Sequence, residues 1–386
     1  MPIQVDPNSN RPTISAATAM SAVHPAIARA EAFAASLGLE LPLLLAPMAG
    51  ACPPGLSIAV AKAGGLGACG ALLLTPQAIW AWAEAFRAGC TGDFQINLWI
   101  PGPPPQRDVA REAAVRGFLS DWGPAVGPEA GDAPLIDFEV QCEALLEVAP
   151  AVASSIMGLY PPRLVERMKA RRIKWLANVT TVAEAKAAQD AGADFIVVQG
   201  MEAGGHRGTF DAPAAESSMV GLFALLPAVV DAVKLPVIAS GAIADARGVA
   251  AALILGASAV QVGTAFLRTP EADLPRAWAD GLAGRRPEET RVTRAFSGRA
   301  GRSLATAYVR AAAGPEAPAP APYPVQRGLT QAMRQAGVEA GDLDRIQAWA
   351  GQAAGRAQAL AAPQIAQALW LGARRMLGAA PAGELA

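Results

Sequence analysis

Residues 194–208 read DFIVVQGMEAGGHRG, and this stretch decides the fold of the chain. Its first five residues form an aromatic and β-branched run, which predicts a buried strand of a parallel sheet. A polar, glycine-rich loop follows directly and therefore lies at the C-terminal end of that strand. In α/β folds, ligands bind and reactions take place at this end of the strands.

His206, one of the two histidines of the chain, lies in this loop beside Gly204 and Gly205. The glycines lack a Cβ atom, so a ligand can approach their backbone closely. A single imidazole in such a place is a candidate base or hydrogen-bond donor. The alternative is that the glycines only shape the loop and that His206 caps it. The other histidine, His24, precedes a proline and is expected to be a surface or packing residue.

Strands and helices alternate on both sides of this loop. Eight strands are predicted, the first running into a turn within 43–50 and the others at 66–70, 94–99, 152–156, 173–178, 194–199, 236–239 and 258–262. Helices are predicted between them, and regular strand-helix alternation indicates a parallel sheet. Eight such units in about 230 residues predict an α/β fold of the (β/α)₈ or TIM barrel type. An open doubly wound sheet would carry a G-x-G-x-x-G turn after its first strand, and the chain has none.

The chain has further segments before, within and after the barrel. Residues 1–40 are expected to form an N-terminal arm and a helix that starts at Ile14 or Ser15 and covers the bottom of the barrel. The barrel takes 41–270, interrupted by a proline- and glycine-containing insertion at about 102–134 that is expected to form part of a lid. Residues 271–386 are expected to be a helical lid and C-terminal segment, with helices around 326–336 and 342–378.

Glycine turns end the seventh and eighth predicted strands. The first turn is Ser240-Gly241-Ala242 and the second is Gly263-Thr264. Loops after these two strands are the recurrent phosphate site of the (β/α)₈ fold, where backbone N–H groups face the mouth of the barrel. The alternative is that the glycines serve only to make tight turns, but each turn also carries a hydroxyl side chain. We therefore expect a ligand with a phosphate tail.

Composition restricts the class of partner. The formal net charge of −1 gives no electrostatic footprint for nucleic acid or for a membrane surface, and favours a small, uncharged ligand. The four cysteines have no C-x-x-C spacing, which indicates reduced thiols in a cytoplasmic protein and no metal site. No apolar run has the length of a transmembrane helix, and the first forty residues show no signal-peptide pattern. The sequence indicates no particular oligomeric state.

Seven motifs together resemble the nitronate monooxygenase family of FMN-containing (β/α)₈ barrels. They are Ala46–Gly50, Ile96–Trp99, Gln199–Gly208, Ala239–Ile243, Gln261–Phe266, Phe296–Arg299 and Trp349–Gln352. The resemblance implies that Pro47, Met48 and Ala49 lie along the flavin ring, and that Asn97 and Gln199 form hydrogen bonds to the flavin. It implies a phosphate site at Ser240, Gly241, Ala242, Gly263 and Thr264. It further implies cofactor contacts from Gly204, Gly205, Trp349 and Gln352, with His206 facing the substrate.

The activity implied by this resemblance is the FMN-dependent oxidation of alkyl nitronates, and of nitroalkanes if these are accepted, by O₂ to a carbonyl compound and nitrite. His206 would orient the nitronate oxygens, or would remove the α-proton of a neutral nitroalkane. Arg207 either favours anionic substrates or is a solvated charge beside the loop. Two departures from the family pattern concern the lid: Arg302–Ala305 lacks an asparagine common after the S-G-R motif, and residues 102–134 match nothing in the family.

Two other functions stay open at this point. The first is an FMN-dependent NAD(P)H reductase of quinones or enoyl thioesters, because related barrels keep the same flavin site and histidine. The second is a non-catalytic flavin- or nucleotide-binding barrel that serves as a partner subunit, and the intact histidine loop argues against it.

Overall fold

A computed structural model describes residues 23–378 and contains an eight-stranded parallel sheet. The strands are β1 (Leu43–Leu45), β2 (Gly67–Gly70), β3 (Phe94–Trp99), β4 (Val152–Ile156), β5 (Lys174–Val179), β6 (Phe195–Gln199), β8 (Val237–Ser240) and β9 (Ala259–Val262), with the short strand β7 (Gly205–His206) in a separate sheet. Their order is β1-β9-β8-β6-β5-β4-β3-β2. Leu44 forms a parallel bridge with Leu66, directly before β2, so the sheet closes. The predicted (β/α)₈ barrel is confirmed.

Eight helices surround the strands. They are α2 (Pro54–Lys62), α3 (Pro76–Gly89), α5 (Phe138–Val148), α6 (Pro162–Ala170), α7 (Val182–Asp190), α8 (Leu222–Ala232), α9 (Ala246–Ile254) and α14 (Ala362–Met376). Several begin with a capping side chain, such as Thr75 at α3, Thr181 at α7 and Asp245 at α9, which accepts a hydrogen bond from a free N–H of the first turn. Proline in the first turn of α2 and α6 has the same effect of starting the helix, since its missing N–H is not needed there.

The last helix of the ring comes from the C-terminal part of the chain. α14 packs against α9 on one side and α2 on the other, and so occupies the place of the helix after β9. The sequence predicts one helix over 342–378 in the lid region, and this is wrong for 342–361. That segment is irregular because its backbone pairs elsewhere: Ala348 O accepts from Leu304 N at 2.9 Å, and Ala350 N donates to Arg302 O at 3.3 Å.

The N-terminal end of the barrel is closed by α1 (Pro25–Ser36). Phe33 of this helix is 4% exposed and its ring meets that of Phe195 edge-on, with 5.3 Å between the ring centroids. Leu44, Leu176 and Ile238 belong to the same apolar cluster inside the barrel. His24 Nδ1 accepts a hydrogen bond from Ala26 N at 3.2 Å and caps the helix. The predicted arm and the helix start at Ile14 or Ser15 lie outside the described residues.

A second, antiparallel sheet lies at the C-terminal end of the barrel. It consists of β10 (Thr290–Thr293), β11 (Gly301–Leu304) and β7, in the order β10-β11-β7. The sequence predicts only helical and irregular structure after residue 270, so this hairpin is missed. β11 pairs with Gly205 and His206, which means that the hairpin fixes the histidine loop in place.

The insertion at 102–134 supports helices of the lid and does not itself reach the mouth of the barrel. It contains α4 (Val109–Leu119) and a short 3₁₀ helix, and these pack on α12 (Val325–Leu329) and α13 (Gln331–Glu339). Val115 and Leu119 belong to the same buried cluster as Met333. Two shorter helices, α10 (Arg276–Gly281) and α11 (Ala307–Ala311), complete the lid. Within residues 23–378, no helix is long and apolar enough to cross a membrane.

We expect Phe33→Ala to lower the free energy of unfolding by about 3–5 kcal/mol, because it leaves a cavity in the closed end of the barrel. The matched control is Phe223→Ala, since that ring is 75% exposed and its loss should change stability by less than about 0.5 kcal/mol. Urea unfolding of both variants measures the difference. Equal losses in the two variants would show that α1 does not contribute to the barrel core.

Candidate active site

A cavity of about 430 Å³ opens at the C-terminal end of the barrel. Its walls come from the ends of the barrel strands and from lid residues between 275 and 353. The volume lies within the usual range for small-molecule and cofactor sites. The cavity therefore lies at the C-terminal ends of the strands, where the glycine-rich loop after β6 predicted a ligand site.

The cavity brings together every predicted site residue except Gln352. The residues that line it are His206, Pro47, Met48, Ala49, Asn97, Gln199, Gly204, Gly205, Ser240, Gly241, Ala242, Gly263, Thr264 and Trp349. Gln352 does not line the cavity, although Gly351 and Ala353 on either side of it do. The amide N–H of Gln352 donates to Glu202 O at 2.9 Å, so this residue joins the lid to the loop after β6.

The two glycine turns leave the backbone open to a ligand. Gly241 has a φ of +126°, which side-chain-bearing residues rarely adopt, and a Cβ atom there would lie 3.4 Å from Ala203 N. A Cβ atom at Gly263 would lie 3.1 Å from Met48 Sδ. Thr264 Oγ1 accepts from Gly351 N at 3.0 Å and ties the second turn to the lid. Both glycines line the cavity, so their backbone borders the space that a ligand can occupy.

Five amide side chains line the cavity, and three of them, Asn97, Asn178 and Gln199, come from β3, β5 and β6. Asn97 Nδ2 donates to Ser154 O at 3.1 Å, which leaves the amide oxygen of Asn97 as an acceptor. Gln199 Nε2 donates to His206 O at 3.0 Å and Gln199 Oε1 accepts from Gly208 N at 2.8 Å, so this side chain clamps the histidine loop and keeps one N–H free. Asn178 Nδ2 is buried and has no partner among the described residues.

Asn178 is a candidate ligand contact that the sequence analysis missed. The sequence carried a signal for it, because Asn178 is the last residue of a predicted strand and Asn97 also lies near the end of one. An unpartnered buried amide costs free energy unless a ligand or water satisfies it. A ligand with a polar edge would satisfy the amide of Asn178.

His206 lies between two tryptophans. The ring centroid of His206 is 4.8 Å from that of Trp99 and 4.7 Å from that of Trp349. His206 Nε2 lies 2.8 Å from the hydroxyl of Ser297, a residue that is 1% exposed. The same hydroxyl lies 3.2 Å from Arg299 O, to which it can donate its only proton. In that arrangement Nε2 carries the hydrogen of the imidazole and Nδ1 is an acceptor.

Burial, together with the smaller effect of the positive charges of Arg299 and Arg327, lowers the pKa of His206 to about 3. The imidazole is therefore neutral around pH 7. A neutral imidazole can accept a proton at one nitrogen and donate from the other, but it brings no positive charge of its own to a ligand.

Arg207 has neither of the two roles that the sequence suggested. Its side chain is 6% exposed and does not line the cavity. Nη1 donates to Gln199 O at 2.6 Å and Nη2 donates to Thr180 O at 3.3 Å. Successive side chains of a strand point to opposite faces, so His206 and Arg207 of this edge cannot both face the ligand.

The charged side chains that line the cavity are Arg327 and Arg334, both from the lid. Within residues 23–378, no carboxylate and no lysine lines it. Neither arginine was predictable from the sequence, because nothing in a helical segment more than a hundred residues from the histidine loop indicates that it returns to the same cavity. The site is electropositive and suits an anionic ligand.

A closed barrel with glycine turns after β8 and β9, and with polar side chains at its C-terminal end, is typical of nucleotide-cofactor enzymes with a (β/α)₈ fold. A family model described as nitronate monooxygenase matches residues 31–370. The chain belongs to the nitronate monooxygenase family, whose members are FMN-dependent flavoenzymes. The family, the monooxygenase class and the FMN cofactor predicted from the sequence are confirmed.

Individual relatives agree with this assignment. The chain is 36% identical over 335 residues to a nitronate monooxygenase of Paraburkholderia phytofirmans, covering 85% of this chain and 91% of that protein. A nitroalkane oxidase from Streptomyces ansochromogenes has a similar structure, with a TM-score of 0.80, 33% identity, and coverage of 89% of this chain and 100% of the other. FabK from Thermotoga maritima is similar with a TM-score of 0.69 and 27% identity, over 88% of this chain and 95% of the other.

The residues of the cavity fit FMN. The open glycine turns suit its phosphate, and the unpartnered amide of Asn178 and the free oxygen of Asn97 suit the polar edge of a flavin. Met48 and Ala49 supply an apolar surface beside them.

We expect Gly241→Val to fold but to lose FMN, because the β-branched side chain fills the cradle and strains the backbone at positive φ. The control is Gly102→Val, in an exposed loop where a Cβ atom meets nothing within 4 Å. Acid extraction followed by chromatography measures the flavin, and circular dichroism checks the fold. A folded Gly241→Val variant with a full complement of FMN would contradict the cradle assignment.

Proposed function

We propose that this chain oxidises alkyl nitronates with O₂, using FMN, to a carbonyl compound and nitrite. The observation that carries the proposal is His206, neutral and held between two tryptophans, in a cavity whose charged side chains are arginines and which has no carboxylate. A nitronate is a planar anion, so it is attracted to such a cavity and repelled by none of its side chains. The expected partners are this small molecule and O₂, with no nucleic acid and no membrane.

FMN, when bound, supplies the redox chemistry that protein side chains lack. Residues of this chain would hold it: Met48 along the ring, Asn97, Asn178 and Gln199 at the polar edges, and the turns at Gly241 and Gly263 around the phosphate. The cytoplasmic location expected from the sequence is part of the same proposal, and the four free cysteines agree with it.

His206 would act through the nitrogen that faces away from Ser297. While Ser297 donates to Arg299 O, Nδ1 of His206 is an acceptor and can take the α-proton of a neutral nitroalkane. In the other imidazole tautomer the hydroxyl of Ser297 donates to Nε2, and Nδ1 carries the hydrogen and can donate it to a nitronate oxygen. Ser297 is therefore a positioning residue that allows the same imidazole to serve both forms of substrate.

The tryptophans beside His206 would exclude water from the reacting carbon. Trp349 is anchored by an antiparallel bridge to Ser303, and Trp99 is the last residue of β3, so both rings belong to rigid elements. Removal of water strengthens the hydrogen bond from His206 to the substrate, because it lowers the local dielectric constant.

The second candidate function is an FMN-dependent NAD(P)H reductase of quinones or enoyl thioesters. The structural similarity to FabK, at 27% identity, is the observation that favours it. Two assays on the purified flavoprotein decide between the functions: aerobic consumption of ethyl- or propyl-2-nitronate, and anaerobic bleaching of the flavin by NADH or NADPH. Rapid bleaching of the flavin together with no nitronate turnover would show that the NAD(P)H reductase function is correct and the nitronate oxidation is not.

We expect His206→Asn to stay folded and to retain FMN while it loses about 10²- to 10⁴-fold in kcat/KM, the usual contribution of a positioned acid or base. The loss in kcat/KM should be larger with a neutral nitroalkane than with a preformed nitronate, because only the nitroalkane needs its α-proton removed. Steady-state kinetics with both substrates measure this. Unchanged turnover on both would make His206 a loop residue, and loss of flavin would make its role structural.

The acid stability of the protein should also depend on His206. In the unfolded chain an imidazole has a pKa of about 6.5, whereas burial lowers the folded-state pKa to about 3. Between these values the unfolded state binds the extra proton, so the stability of the folded protein decreases as the pH falls below about 6.5. Urea unfolding measures the free energy of unfolding at about pH 8 and about pH 5. The decrease between the two pH values should be smaller for His206→Asn than for the wild type. Equal losses would show that the imidazole is solvated.

A further inference from the structure

Gln95 is a glutamine in the interior of the barrel, below the cavity. It lies on β3 two residues before Asn97, so both side chains are on the same face of the strand. Asn97 lines the cavity, whereas Gln95 is fully buried and does not line it. Gln95 therefore belongs to the layer of side chains directly beneath those that a ligand can touch.

The amide of Gln95 has a fixed orientation. Its Nε2 atom lies 3.0 Å from Leu45 O and 3.3 Å from Gln261 Oε1. A backbone carbonyl can only accept, so the atom of Gln95 beside Leu45 O must be the nitrogen. Its NH₂ group has one hydrogen for Leu45 and one for Gln261. The atom of Gln261 that faces Gln95 must therefore be the amide oxygen.

The orientation of Gln95 determines which end of the Gln261 amide is free. Gln261 lies on β9, two residues before Gly263, and lines the cavity. Because its Oε1 atom accepts from Gln95, its NH₂ group is at the other end, and no hydrogen bond joins that group to another described residue. Gln261 consequently offers a hydrogen-bond donor to the cavity, whereas Asn97 offers an acceptor.

The contact with Gln95 also turns Gln261 away from the phosphate turns. In the closed barrel β9 is followed by β1, β2 and then β3, so the two glutamines meet across the interior and not along one wall. The turn at Gly263, by contrast, lies at the end of its own strand. The free NH₂ group of Gln261 therefore belongs to the middle of the site and not to its phosphate end.

The other atom of the Gln95 amide is a cost to the fold. Gln95 Oε1 is buried and has no hydrogen-bond partner among the described residues. A buried acceptor without a partner lowers the stability of the folded state, and an apolar side chain of similar shape would avoid this. We therefore attribute the presence of an amide at this depth to its effect on Gln261.

We propose that Gln95 is a positioning residue for the cofactor, which directs the donor of Gln261 at the isoalloxazine ring of FMN. Two electrons and one proton convert the oxidised ring to an anionic reduced ring, so a donor binds the reduced ring more strongly. Hydrogen bonds to the ring are one means by which a protein tunes a flavin. Gln95 would thus raise the reduction potential of bound FMN without touching it, whichever substrate the site takes.

The test measures the two-electron reduction potential of bound FMN in Gln95→Met, whose side chain has a similar length but no N–H and no C=O. We expect reduced FMN to bind about tenfold more weakly relative to oxidised FMN, the effect of one lost hydrogen bond to a charged group. A tenfold change lowers a two-electron potential by about 30 mV. Reductive titration of the holoenzyme with dithionite, against a reference dye, gives the potential. No nitronate is needed, so the result is independent of the proposed function.

A double-mutant cycle determines whether Gln95 acts through Gln261. Gln261→Met should lower the potential at least as much as Gln95→Met, and the double variant should show no further decrease. The matched control is Gln141→Met. Gln141 is also a buried glutamine, but its amide donates to Ala71 O and Leu74 O and it does not line the cavity. This control should lower stability and leave the potential unchanged.

A second variant covers the case in which Gln95→Met does not fold. Gln95→Asn keeps a polar amide but is one methylene group too short to reach both Leu45 and Gln261, so it should lower the potential in the same direction.

Three outcomes would overturn the inference. The first is a wild-type potential in the folded Gln95 variants. The second is an equal decrease for Gln95→Met in the presence and in the absence of Gln261. The third is an equal loss of affinity for oxidised and reduced FMN, which would assign the donor to a part of the cofactor whose charge does not change on reduction, such as the phosphate.

Discussion

Backbone pairing between β11 and the loop after β6 is the interaction on which the site depends. Gly301 and Arg302 pair with His206 and Gly205, and Arg207 N donates to Ala300 O at 2.9 Å. The same hairpin carries Ser297 against the imidazole. Its β11 strand bridges to Trp349, and the carbonyl of Phe296 accepts a hydrogen bond from Thr330 Oγ1 at 2.6 Å, between the two lid helices with the cavity arginines. One short hairpin therefore fixes the relative places of the imidazole, the indole of Trp349 and the guanidinium groups.

A buried carboxylate supports the loop from the side away from the cavity. Glu184 accepts hydrogen bonds from Thr180 N at 2.6 Å, Thr209 Oγ1 at 2.9 Å and Phe210 N at 2.8 Å. Arg207 donates to carbonyls on the same side and adds a charge of opposite sign nearby. Donors behind the loop thus satisfy the carboxylate of Glu184, which lies away from the cavity and does not repel an anion there.

The barrel and most of the site were predictable from the sequence because their signals are local. Runs such as Phe195–Val198 identify buried strands, and the glycine turns and amides directly after such runs must lie at the same end of the barrel. The hairpin at 290–304, the irregular backbone at 342–361 and the place of Arg327 at the cavity were not predictable in this way, because each depends on partners far away in the sequence. The error about Arg207 has the same origin. Once 205–206 is known to be a strand edge, alternation alone turns this side chain away from the ligand.

The position of α14 means that the barrel is discontinuous along the chain. Residues 263–361, which carry the hairpin, Trp349 and both cavity arginines, connect β9 to its own helix, so both ends of the lid are anchored in the barrel wall. During synthesis the barrel cannot close its ring of helices until the lid has already emerged from the ribosome. Until then, apolar surfaces on α2 and α9 stay uncovered. The lid can accordingly change in length or sequence during evolution as an internal loop of a finished barrel, with substrate preference altered and the cofactor cradle at β8 and β9 retained.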